Sequence, residues 1–134
     1  MIRYIAASVI SGILFGIMDG VINANPLARR LYEVYKPIAR QSIDPVSGMI
    51  IDLLFGFVLA GIFFILYKSL PGKSGLVKGL SFACMVWFLR VAMYTASQWM
   101  MFNMPSETVF YSLVTGLAEA AVLGVIFGLM LKPA

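Results

Sequence analysis

Residues 48–67 read GMIIDLLFGFVLAGIFFILY. The only charge in the stretch is Asp52. A helix rises about 1.5 Å per residue, so roughly 20 such residues cover the ~30 Å of hydrocarbon in a bilayer. Three further runs have the same character. Tyr4–Ile22 holds Asp19, Lys78–Phe102 holds Arg90, and Val109–Leu131 holds Glu119 and ends at Lys132.

The chain of 134 residues is 61% hydrophobic, with a mean hydropathy of +0.94. Soluble domains are roughly half apolar. Here the excess collects into runs, so the sequence predicts an all-α integral membrane four-helix bundle in a single domain, with spans at about 4–22, 48–67, 78–102 and 109–131. The first run follows Arg3 and is followed by Ile22-Asn23-Ala24, as in a cleaved leader, but its length and Asp19 favour a retained span.

The connections differ. Asn25-Pro26 reads as a helix start, since Asn caps and Pro suits the first turn. Leu27, Leu31, Val34, Tyr35 and Ile38 then recur at helical spacing, while Arg29, Arg30, Glu33, Lys36 and Arg40 take the remaining surface. This predicts a short amphipathic interfacial helix between the first and second spans, kinked by Pro37, with Arg29, Arg30, Lys36 and Arg40 at lipid headgroups. Lys68–Lys78 is a basic turn without phosphate-loop spacing. Ser106 is the expected N-cap of the last helix, with Glu107 in its first turn.

Arg3, Lys68, Lys73, Lys78 and Lys132 share one side of this topology, and the positive-inside rule makes it cytoplasmic, with both termini. The net charge of +4 is a matter of topology and anionic lipid, because no basic cluster interleaves with aromatics as a nucleic-acid surface requires. Histidine is absent, which removes His-ligated haem or zinc and His-based acid–base chemistry. Cys84, the one cysteine, allows no intrachain disulfide. No cofactor and no metal site are expected, and no nucleophile constellation points to an enzyme.

Small residues recur every four positions: Ser8, Gly12, Gly16, Gly20; Gly48, Asp52, Gly56, Ala60; and Gly116, Ala120, Gly124, Gly128. Such stripes allow helix backbones to approach closely within a membrane, inside one chain or in an oligomer.

Each run carries one ionisable residue: Asp19, Asp52, Arg90 and Glu119. Four unpaired charges would oppose insertion by about 10 kcal/mol, so they are expected to face one another inside the bundle. Arg90 and Glu119 fall at mid-depth, and Asp19 and Asp52 share one level roughly 9 Å nearer the outer face. At that depth Arg90 either bonds Glu119 directly or extends toward the aspartates. Three acids against one base leave a surplus of two negative charges, which calls for protonated carboxyls or a bound cation. Asn23 lies one turn beyond Asp19; Tyr94 and Ser97 follow Arg90, and Ser112 and Thr115 precede Glu119, each on the same α-helical face. The same set also reads as orientation glue, an Arg–Glu pair holding register.

The pattern Ser11-Gly12-Ile13-Leu14-Phe15-Gly16-Ile17-Met18-Asp19, with Asp52, Leu70-Pro71-Gly72, Val86-Trp87 and Gly116-Leu117-Ala118-Glu119, resembles small uncharacterised bacterial four-helix inner-membrane proteins classed as domains of unknown function. The resemblance implies four spans and a bacterial setting, and no activity. Two functions are expected to compete, ahead of a third, an enzyme that acts on a lipid or membrane-soluble substrate through its carboxylates and arginine. One is an accessory or scaffold subunit, in a larger membrane assembly or a homo-oligomer. The other is a small channel or transporter for protons, cations or a small polar solute.

Overall fold

The computed structural model describes residues 1–40, 42 and 44–131, and Lys132 lies outside them. The described residues form helices and no strand. These are α1 (Ile2–Ala24), α2 (Pro26–Leu31), α3 (Pro45–Leu66), α4 (Gly75–Val86), α5 (Met93–Met101) and α6 (Ser106–Met130). A π-helical segment, Trp87–Ala92, joins α4 to α5, so that Gly75–Met101 runs as one helix. Four helices are thus long and apolar enough to cross a membrane.

The last three of these begin ahead of their apolar runs, because polar and proline punctuation sets helix starts. Asp44 caps α3, accepting from Val46 N at 3.2 Å and from Ser47 Oγ at 2.7 Å. These bonds hold its carboxyl below the usual carboxylate range. Ser74 Oγ accepts from Val77 N. At α6 the expectation for Ser106 is corrected. Pro105, extended at φ −61° and ψ 141°, occupies the cap position, and Ser106 is already helical.

Two antiparallel pairs make up the bundle, α1 with α3 and α4 with α6, and α1 also packs on α6. Their chain path gives it a termini end, which includes residues 67–74, and a far end, which includes residues 25–44 and 102–105. The pairs touch through glycine. A methyl group on Gly56 would strike the Ser8 carbonyl and Gly12; one on Gly124 would strike the Gly79 carbonyl, and one on Gly128 the Gly75 carbonyl. At the termini end Phe63, Phe82 and Phe127 are fully buried. Their ring centroids lie 5.3, 5.8 and 6.2 Å apart. There Lys78 Nζ donates to the Tyr67 carbonyl at 2.6 Å, at the C-terminal end of α3.

Toward the far end both pairs splay. One turn on from the Gly12–Gly56 contact, the Asp52 carboxylate lies against Gly16. One turn further, a methyl group on Gly20 or on Gly48 meets nothing within 4 Å. Gly20 therefore packs against nothing within the described residues. In the other pair, Gly116 faces the Val91 side chain rather than backbone.

The connection after α1 also departs from expectation. Instead of one amphipathic helix there are six residues of α-helix and a 3₁₀ turn, Glu33–Tyr35. The Leu31 carbonyl, which would accept the next helical bond, is taken by Thr108 Oγ1 at 2.5 Å. Tyr35 N then turns back to the Tyr32 carbonyl. Pro37 brings no N–H with which to resume the ladder. Ala28 and Leu31 face inward, while Leu27, Val34 and Ile38 are exposed.

The surface is otherwise apolar. Ile13, Ile17 and Val21 on α1, Leu54, Val58 and Ile65 on α3, and Phe110 and Val114 on α6 are all exposed. Charge is divided along the long axis. Arg3, Lys68, Lys73 and Lys78 lie at the termini end, and every acidic residue lies at mid-depth or beyond it toward the far end.

Candidate functional site

The splay leaves a cavity of about 490 Å³ in the far half of the bundle. Asp19 and Asn23 enter it from α1, Tyr32 and Tyr35 from the connection after α2, and Arg90 and Tyr94 from the third long helix. Ser112, Thr115 and Glu119 come from α6. Glu119 is only 6% exposed, whereas Tyr94, at 63%, forms the rim.

Three of the four intramembrane-type charges therefore share one cavity. Asp19 and Glu119 are close enough to interact, with Arg90 and Asp52 as the next charged neighbours of Glu119. Asp52 lines the α1–α3 seam against Gly16 and not the cavity. Asn23 Nδ2 donates to Asp19 Oδ1 at 3.2 Å and to the Asp19 carbonyl at 2.8 Å. Among the described residues no ion pair joins Arg90 to a carboxylate. Its guanidinium instead lies 4.8 Å from the Phe15 ring centroid and 4.6 Å from that of Phe55. Those rings stack at 5.7 Å across α1 and α3. A weakly hydrated, planar guanidinium rests well on aromatic faces. The direct bond to Glu119 is not formed, and Arg90 stands near Asp52 as well as Glu119.

The π-helical segment explains which neighbours sequence reasoning missed. On a regular α-helix Tyr94 and Ser97 follow Arg90 on one face. A turn bonded i to i+5 delays the following residues around the axis. Thr95 and Gln98 consequently reach the cavity, and Ser97 is turned outward, donating to the Met93 carbonyl at 3.0 Å. Trp87 ties this segment to α6, Nε1 donating to the Leu113 carbonyl at 2.9 Å. Nothing in the apolar run WFLRVA marks such a turn in advance.

Hydrogen bonds between elements brace the cavity at the far end. Asn25 caps α2, its Oδ1 accepting from Ala28 N at 2.8 Å. Its Nδ2 donates to the Val21 and Ile22 carbonyls at the end of α1. Tyr111 Oη donates to the same Ile22 carbonyl at 2.6 Å, and Tyr32 Oη lies 3.2 Å from Ser112 Oγ. Burial raises the Tyr32 and Tyr35 phenols above their usual value. Arg29, Arg30, Lys36 and Arg40 are exposed and take no part in the cavity.

The arrangement offers hydrogen-bond acceptors, aromatic faces and one fixed cation around a space of small-molecule size. No group of three or more acidic or cysteine side chains converges as a metal site among the described residues. No curated protein and no solved structure shows a significant match to the chain. A family model does match, over residues 4–133, and the chain accordingly belongs to the family of unknown function DUF6789.

Proposed function

We propose that this protein is a multi-pass protein of the bacterial inner membrane, with both termini cytoplasmic, that binds a small polar solute or ion in a cavity open toward the outer side. Membrane residence is supported by four apolar helices and by the exposed aliphatic surface along them. The orientation is supported by the basic, acid-free termini end. One observation carries the binding role: Glu119, more than nine-tenths buried, opens onto a cavity that Asp19 and Arg90 also line. An ionisable side chain at such a depth costs about 3 kcal/mol, and ion or solute pathways are where that cost is ordinarily found.

Proteoliposomes test the proposal. Uptake or saturable binding of cations or small polar solutes by wild type, reduced in Asp19→Asn, Arg90→Ala and Glu119→Gln, is the expected result. Leak-level flux together with no saturable binding in any of them would sink it.

A second reading is an accessory or scaffold subunit, or a homo-oligomer, that handles no solute. Gly20 and Gly48 favour it, since both present bare backbone with nothing packed on it, and a helix from another chain can approach such a surface. The remaining stripe glycines are occupied within the chain. Crosslinking in native membranes discriminates. A chain that runs alone in mild detergent and recovers no partner removes the accessory role.

A further inference from the structure

We infer that the cavity is a site for a small organic cation, an ammonium or quaternary ammonium ion, held at the carboxyls of Asp19 and Glu119 and walled by the rings of Tyr32, Tyr35 and Tyr94. The inference rests on the proposed reading of the cavity as a binding site and names its ligand class.

Charge is the first argument. Arg90 neighbours both Asp52 and Glu119 but is seated on Phe15 and Phe55, so one base stands against three acids. Asp19 and Glu119 then remain as an adjacent pair. The Glu119 carboxyl has the Asp19 carboxyl as its hydrogen-bond partner, and Asp19 also receives Asn23. Two adjoining carboxyls can bond one another only by sharing a proton, and a ligand cation would take the place of that proton.

Shape and wall chemistry are the second. A space of about 490 Å³ is far larger than a bare metal ion. Two carboxyls also fall short of the six to eight oxygens that a calcium ion takes. The wall is aromatic: Tyr32 and Tyr35 pack at 5.9 Å, and Tyr94 stands exposed at the rim. Aromatic faces attract cations that shed water readily, as organic ammonium ions do. The same bundle already seats one cation in this manner, the Arg90 guanidinium on its two phenylalanines.

The test is titration calorimetry on the full chain in nanodiscs, in amine-free sodium phosphate. The probes are choline, its uncharged isostere 3,3-dimethylbutan-1-ol, and the zwitterion glycine betaine. Choline is expected to saturate, with the isostere weaker by more than about tenfold, since the isostere lacks the charge that a carboxylate attracts. Glu119→Gln should weaken choline by about tenfold or more. Tyr94→Leu, at an exposed rim position where folding is not at stake, should weaken it about two- to fivefold, and Tyr94→Phe should restore it.

Equal binding of choline and its isostere would overturn the inference, as would indifference of choline to Glu119→Gln and Tyr94→Leu. Betaine binding more tightly than choline, and lost in Arg90→Gln, would also overturn it, while leaving the solute-binding function standing. Absence of saturable binding by choline, betaine and alkali cations alike would remove both.

Discussion

At the termini end, backbone meets backbone. Gly124 abuts Gly79, Gly128 abuts Gly75, and three buried phenylalanines close the space between α3, α4 and α6. At the far end the same helices continue and small residues recur at the same interval, but side chains hold the backbones apart. Val91 covers Gly116, the Asp52 carboxylate covers Gly16, and Gly20 and Gly48 face nothing. A small-residue stripe therefore permits close approach without enforcing it. What enforces it here is the residue opposite. Glycine opposite glycine closes the seam, whereas a branched or charged residue opposite glycine opens it. The protein uses the closed end as an anchor and places its polar groups in the opening.

The largest expected effect breaks the closed end. A side chain on Gly124 points at the Gly79 carbonyl, and one on Gly79 at the Gly124 carbonyl. Backbone cannot step aside as a side-chain tip can. Gly79→Val and Gly124→Val should each cost about 3 kcal/mol, the upper part of the usual range for overpacking. Gly20→Ala and Gly48→Ala should cost less than about 0.5 kcal/mol. Unfolding in mixed detergent micelles, followed by circular dichroism, measures the difference. Equal losses at Gly20 and Gly124 would mean that the far end is packed as tightly as the other.

The next effect concerns what holds the open end in place. Asn25 closes α1 and starts α2 with one side chain, and Tyr111 meets it at 2.9 Å. Asn25→Ala should cost about 1–2 kcal/mol, the range of a lost N-cap. The loss should be local, with faster amide exchange from Leu27 to Leu31 and little change around Phe63. Uniformly faster exchange would instead make the two ends one cooperative unit.

How much of this contrast was legible beforehand follows from what each level of structure depends on. Four apolar helices follow from composition along the chain, and the Asn25 cap from one dipeptide. The grouping of Asp19, Arg90 and Glu119 follows from the cost of leaving charges among lipid. The splay was not legible, because a glycine in a run does not say what will stand opposite it. Asp52 neighbours the other three charges, but from the α1–α3 seam and not from the cavity wall. Thr95 and Gln98 were missed for another reason. Assigning a face assumes the α period, and the π-helical segment Trp87–Ala92 breaks it within an apolar run. The amphipathic helix expected after Asn25 ended early because Thr108, far away in sequence, took the Leu31 carbonyl.

A smaller effect, opposite in sign, sharpens the functional side of the comparison. If the open end is kept for binding, its buried acid is a burden on the unliganded fold. Glu119→Gln preserves shape and removes the charge, so the variant should be more stable than wild type by about 1 kcal/mol. The same micelle unfolding experiment reads it. A loss of stability would show that Glu119 is structural, as in the register-holding reading of an Arg–Glu pair.

The smallest and most local effect is a pH dependence at the far end. Burial raises the Tyr32 phenol above its usual value, with the Tyr111 phenol and the Asp19 and Glu119 carboxyls acting in the same direction against the hydrogen bond to Ser112. Tyr35 is raised chiefly by burial as well. A group whose folded value is raised holds its proton longer when folded than when unfolded. Its contribution is complete below the unfolded value, near 10, and falls as pH rises through the folded one. The connection spanning both tyrosines should therefore loosen above about pH 10, in the window between those two values. The three central rings of the closed end, by contrast, are phenylalanines without a proton to lose. Ultraviolet titration of wild type against Tyr32→Phe isolates the late phenol, and amide exchange over Glu33–Tyr35 at pH 9 and pH 11 (about one unit either side of the unfolded value) reads the loosening. Tyr32→Phe should lessen that loosening. If exchange at the Phe63 end rises in step with it, the two ends open together, and the division between anchor and site does not hold.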